Sequence, residues 1–219
     1  ALVTGTCASV TATSAAATLT VISPVTVSTQ PVNKEICSGS TTSFSVAGSS
    51  VQPISYQWQV NTGSGFVSVP NAAPYSGGTT ATLTISNTTV SMSGYQYRVL
   101  LSNTTCTAPT TSATASLTVR QLPTVGLTAS LSSLLPGQVA VLTAIPSAQT
   151  TGVLTTTWFK NGTAITNTGN TRSVNVENIG TFRVSIQEVF SSGLVCANQS
   201  VDVVIDATVS NKLFSDVTN

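Results

Sequence analysis

The sequence predicts an all-β protein built from tandem β-sandwich domains. Three observations support this prediction: a composition rich in Thr and Val, short segments in which apolar and polar residues alternate, and an internal repeat. Thr and Val are β-branched and favour pleated strands over helices. Of the 219 residues, 41% are hydrophobic, which is enough to build packed cores and is unlike the composition of disordered chains.

Charge is scarce, and its scarcity excludes several classes of function. Charged residues make up 6% of the chain and the net charge is +1, against about 25% charged residues in a typical soluble protein. Seven scattered Lys and Arg residues do not form the basic surface that binds nucleic acid. No apolar run reaches the roughly 18 residues that span a membrane. The start lacks a basic and then apolar segment, so we expect any secretion signal to have been removed.

The internal repeat divides the chain into units. The segment TCASVTATSAAATLTV (residues 6–21) matches TCTAPTTSATASLTV (residues 105–119), which aligns Cys7 with Cys106 at an offset of 99 residues. This offset is typical of a β-sandwich domain. We therefore expect residues 1–21 to be the closing strands of an incomplete repeat. Two complete domains then cover residues 22–120 and 121–207, and residues 208–219 form a linker or tail.

Strands of the second unit are predicted from period-two alternation. Apolar and polar residues alternate over residues 44–46, 54–60, 81–85 and 95–101, as in a sheet with one buried face. Turn-forming clusters such as NTGSG and YSGGTT separate these segments. The alternation places Trp58 in the core with Phe44, Tyr97 and Val99.

The third unit follows the same logic. GQVAVLTAIP, TTTWFKNGTAI, TRSVNVEN, GTFRVSIQEV and QSVDVVID each predict a strand or hairpin. The Asn-Gly pair in KNGT predicts a tight turn directly after Trp158, and Trp158 and Val184 are predicted core residues. The joints LTVISPVTV and LTVRQLPTV are short and carry a proline, which predicts a semi-rigid string of domains.

Four cysteines lie far apart in the sequence. Their spacing does not match a zinc site, and the chain has no histidine to complete one. In a chain so poor in charge we interpret them as disulfide-forming residues. This indicates an oxidising compartment and predicts an extracellular or cell-surface protein.

The two tryptophan strands and two later segments, GYQYRV and GTFRV, resemble the immunoglobulin-like (Ig-like) sandwich. That family has a core Trp on strand C and a Tyr-x-Cys element on strand F. Val99 and Val184 stand where the family has its second core cysteine, and Phe44 stands where it has the first. The resemblance implies that hydrophobic packing replaces the usual core disulfide.

A closer resemblance lies in EICSGSTTSFSV, YQWQV, YSGGTTATLTIS and SMSGYQYRV. These segments resemble the Ig-like repeats of large secreted and surface proteins of Bacteroidota-type bacteria. The resemblance implies a disulfide between Cys37 and Cys106, and an upstream partner for Cys7. Cys196 is then unpaired or bonded to another chain. It also implies export by type IX secretion, although the sequence stops before any sorting domain.

Catalytic groups are sparse. Histidine is absent, which removes the commonest general base and the usual Ser-His and Cys-His pairs. Asp202 and Asp206 share a strand face about 13 Å apart, and we interpret them as a solvated edge, with calcium at a domain junction as the alternative. We expect no enzymatic activity and no cofactor.

Three functions fit these observations. The first is a non-catalytic adhesin stalk or spacer on the cell surface. The second is a self-assembling subunit of an extracellular filament or surface layer, in which residues 1–21 complete a neighbour by strand addition. The third is an accessory binding module of a larger secreted enzyme. Partners would be proteins, surface glycans or further copies of the chain, and a sandwich fold alone does not choose among them.

Overall fold

The computed structural model describes residues 1–4, 11–18, 23–105, 108–148, 152–167 and 169–208. Regular structure in these residues is β, apart from one 3₁₀ turn at Val90–Met92. A two-stranded ribbon, β1 (Leu2–Thr4) with β2 (Thr11–Thr13), precedes two sandwiches. The predicted fold class, tandem Ig-like β-sandwiches, is confirmed.

The first sandwich is built from strands β3 to β13. Their bounds are β3 (Thr26–Thr29), β4 (Lys34–Cys37), β5 (Thr42–Ser45), β6 (Ala47–Ser49), β7 (Ile54–Asn61), β8 (Phe66–Ser68), β9 (Tyr75–Ser76), β10 (Thr82–Ile85), β11 (Gln96–Asn103), β12 (Thr110–Thr111) and β13 (Ala115–Arg120). One sheet has the order β4-β13-β11-β7-β8, with β12 also on β11, and the other has the order β5-β10-β9. β3 pairs with β6. The β4–β13 pair is parallel.

The second sandwich is built from strands β14 to β22. Their bounds are β14 (Thr124–Ala129), β15 (Ser133–Leu134), β16 (Val139–Ser147), β17 (Val153–Lys160), β18 (Thr163–Ile165), β19 (Thr171–Asn175), β20 (Gly180–Val189), β21 (Val195–Gln199) and β22 (Val203–Ala207). The sheets have the orders β15-β22-β20-β17-β18, with β21 also on β20, and β14-β16-β19. β15 is parallel to β22, so this sandwich repeats the strand arrangement of the first.

Aromatic packing fills the first core. Trp58, Phe44, Tyr97 and Val99 are all fully buried, and Val99 lies opposite Trp58 in the β7–β11 register. The Phe44 and Tyr97 rings stack with centroids 4.8 Å apart. The indole Nε1 of Trp58 donates a hydrogen bond to the Thr80 carbonyl at 2.9 Å, which satisfies the one polar atom that this side chain buries.

The second core has the same plan. Trp158 and Val184 are buried and lie opposite each other in the β17–β20 register. Trp158 Nε1 donates to the Gly169 carbonyl at 3.1 Å. Asn161 and Gly162 have φ of 48° and 80°, the left-handed pair that a two-residue hairpin needs. The predicted Asn-Gly turn is confirmed.

Candidate functional site

The joint between the sandwiches is tight. Only Gln121, Leu122 and Pro123 separate the end of β13 from the start of β14. Pro123 is buried, and its carbonyl accepts a hydrogen bond from Nδ2 of Asn198 on β21 at 3.1 Å. A three-residue linker held in this way cannot behave as a flexible tether.

A disulfide crosses the joint. Cys37, the last residue of β4, is bonded to Cys196 on β21, with the two Cα atoms 5.7 Å apart. Cys196 is fully buried. The bond therefore fixes the hairpin formed by β20 and β21 of the second sandwich to the far end of the first.

The expected pairing of Cys37 with Cys106 is wrong, and so is the expectation that Cys196 is unpaired or bonded to another chain. The reason is strand direction. Cys37 lies opposite Arg120, at the end of β13, whereas Cys106 follows β11 and precedes Thr110 at the other end of the sheet. About ten extended residues from Thr110 to Arg120 span about 33 Å, far beyond the Cα spacing of about 4.4–6.8 Å in a disulfide. Cys7 and Cys106 lie outside the described residues.

Arg120 clamps the same joint electrostatically. Its Nε donates to Oε1 of Glu35 at 2.6 Å, and its guanidinium lies 4.8 Å from the ring centroid of Phe190 in the second sandwich. The side chain of Ser192, in the turn between β20 and β21, hydrogen-bonds to the Glu35 carboxylate. The planar guanidinium can bond a carboxylate and stack on a ring at once, so this group complements the covalent link.

The Glu35 carboxylate makes the clamp sensitive to acid. The hydrogen bond from Ser192, and then that from Arg120, lower the pKa of Glu35 below its ordinary value. A carboxylate whose pKa is depressed stabilises the folded joint above its unfolded pKa, and this contribution is lost as pH falls through the lowered pKa. We expect an NMR titration of the Glu35 carboxyl to show a depressed midpoint. Ser192→Ala should move the midpoint back toward the ordinary glutamate value, and an unchanged midpoint would contradict the assignment.

Other carboxylates do not form a metal site in the described part of the chain, where no group of three or more His, Cys, Asp or Glu residues comes together. Asp202 and Asp206 are exposed. Glu188 on β20 was missed by the sequence reasoning. It is fully buried, and its Oε1 accepts the Gly152 N–H at 3.0 Å. Because Glu188 is the register partner of Cys196, it supports the strand that carries the disulfide.

Among the described residues, no helix has the length and apolar character needed to cross a membrane.

The strand order, the two buried tryptophans and the parallel β4–β13 and β15–β22 pairs define a tandem of Ig-like sandwiches. No protein-family model and no curated protein matches the sequence. Solved structures with a similar fold include the I-band fragment I67-I69 from titin, at 16% identity and a TM-score of 0.47, covering 85% of this chain and 67% of that chain. The N-terminal Ig1-2 module of Drosophila receptor protein tyrosine phosphatase DLAR has 17% identity and a TM-score of 0.40, covering 85% and 100%. The N-terminal four Ig domains of Dscam1 isoform 1.9 have 15% identity and a TM-score of 0.40, covering 84% and 46%.

Proposed function

We propose that this chain is a rigid, non-catalytic spacer, a section of the stalk of a secreted or cell-surface protein. The observation that carries the proposal is the joint. A three-residue linker, a disulfide between Cys37 and Cys196 and the Arg120 clamp all restrain the same junction. Two sandwiches joined in this way hold whatever is attached at either end at a set distance and orientation.

The chemistry of the chain supports this location. A buried disulfide persists in oxidising compartments outside the cytosol. The resemblance to Ig-like repeats of Bacteroidota-type surface proteins supports an adhesin stalk exported by type IX secretion. In that role the chain presents protein-binding or glycan-binding partners carried elsewhere.

The rigidity of the joint is directly measurable. Backbone ¹⁵N relaxation reports tumbling on the nanosecond scale, so a rigid spacer should give one anisotropic rotational diffusion tensor for both sandwiches. The double variant Cys37→Ser with Cys196→Ser should give partly independent, faster tumbling of each. Cys106→Ser is the matched control and should keep a single tensor. Independent tumbling of the two sandwiches in the unaltered, oxidised chain would refute the spacer.

A further inference from the structure

The end of the second sandwich repeats the surface that receives a neighbour on the first. The segment LLPGQ (residues 134–138) matches ICSGS (residues 36–40), with Gly137 and Gly39 at φ of 84° and 81°. In the parallel pairs, Leu134 lies opposite Ala207 as Ile36 lies opposite Val119. One residue further along each strand, Leu135 therefore takes the place of Cys37 and Thr208 takes the place of Arg120.

This surface is covered at one sandwich and open at the other. Residues 34–38, at the joint, are all half-buried, whereas their counterparts 132–136 are exposed apart from Leu134. Leu135, the counterpart of the disulfide cysteine, is 40% exposed, and Leu131 beside it is also exposed. The second sandwich thus presents an uncovered version of the joint surface, with leucine in place of cysteine.

The first sandwich presents an uncovered version of the opposite half. Ser112 and Ser200 are equivalent, since each Oγ accepts an N–H from the adjacent strand at 3.0 Å. Four residues before each of them, Ala108 matches Cys196. Ala108 is exposed, whereas Cys196 is fully buried. At the same end lies Val51, which is 93% exposed, in a loop bonded to β11 through Asn103 Nδ2 and Ser50 Oγ at 3.0 Å.

We infer that these two surfaces bind each other between copies of this chain. The Leu135 end of one copy packs on the Val51 end of the next, using the geometry of the internal joint without its disulfide. A second copy is the occupant because one chain carries both halves at opposite ends. From residue 36 to residue 119 the only charge is Arg98, which lies in the middle of a strand, so no charge on the Val51 end opposes an apolar contact.

The contact is head-to-tail and does not close on itself, so it produces linear chains of copies. This goes beyond the spacer role, because it lengthens the rod without a longer polypeptide. Since leucine replaces the joint cysteine, the contact is reversible.

Sedimentation velocity tests the inference on the full chain carrying Cys7→Ser and Cys106→Ser, which removes covalent association through these thiols. The sedimentation coefficient should rise with concentration between about 1 µM and 1 mM, where weak contacts form. Leu135→Asp and Val51→Asp should each weaken association about tenfold or more, because each buries an unpaired charge. Val67→Asp is the matched control, since Val67 is 61% exposed on β8, and it should associate as before.

Mixing the two end variants tests the polarity. Leu135→Asp keeps a good Val51 end and Val51→Asp keeps a good Leu135 end, so neither should assemble alone, whereas the mixture should form dimers and nothing longer. Homodimers of either variant alone would show a symmetric contact and overturn the inference. An unaltered Cys7→Ser, Cys106→Ser chain that stays monomeric throughout, or association that neither end variant weakens, would also overturn it.

Discussion

Trp58→Ala is expected to lower the free energy of unfolding of the first sandwich by about 3–5 kcal/mol, the cost of removing a large buried aromatic side chain. Trp58 is fully buried against a core that includes Phe44. The change leaves a cavity that the rigid strands around it cannot fill. It also removes the donor to the Thr80 carbonyl.

Hydrogen exchange of the β7 and β11 amides, followed through denaturant unfolding, measures this loss in the first sandwich itself. Val67→Ala is the matched control on the neighbouring strand β8, and because Val67 is 61% exposed it should stay within about 0.5 kcal/mol of the unaltered chain. A loss below about 1 kcal/mol for Trp58→Ala would mean that this tryptophan does not pin the core.

The cores were predictable because the signals that place them are local. The parity of Trp58 and Trp158 along their strands requires only a few neighbouring residues, and so does the Asn161-Gly162 turn. Parity also held a signal for Glu188 that was not used. Val184, Ile186, Glu188 and Phe190 alternate on one face of β20, and all four are buried.

The joint was not predictable in the same way, because its members come from distant elements. Cys37 and Cys196 are separated by 159 positions, and no local pattern links Glu35 and Arg120 to Phe190. Resemblance supplied a partner for Cys37, but it carried no information about which end of the sandwich each cysteine occupies. The direction of β13 decides that question, since the strand runs from the Cys106 end toward Cys37.

Replacing both Cys37 and Cys196 with serine is expected to destabilise both sandwiches, each by up to about 4 kcal/mol. If the first sandwich unfolds alone, its chain stays tethered to the folded second sandwich at Cys196 and at the linker. Unfolding the second alone leaves its chain tethered in the same way to Cys37 and Arg120. Either loop is roughly 80 residues long, and closing it restricts the unfolded chain by about 4–5 kcal/mol in the chain-entropy estimate. A disulfide within one sandwich would stabilise that sandwich only.

Denaturant unfolding separates the two effects, because each sandwich holds one of the two tryptophans. Trp158→Phe leaves Trp58 to report on the first sandwich, and Trp58→Phe leaves Trp158 to report on the second. Cys106→Ser is the control and should shift neither transition. A non-reducing tryptic map fixes the connectivity, since Cys37, Cys106 and Cys196 fall in separate peptides, residues 35–98, 99–120 and 184–212. Residues 35–98 joined to 99–120, or a shift in the first transition alone, would show that the bond closes one sandwich. Shifts in both transitions would show that it couples the two into one rod, because only a bond across the joint restrains both unfolded chains.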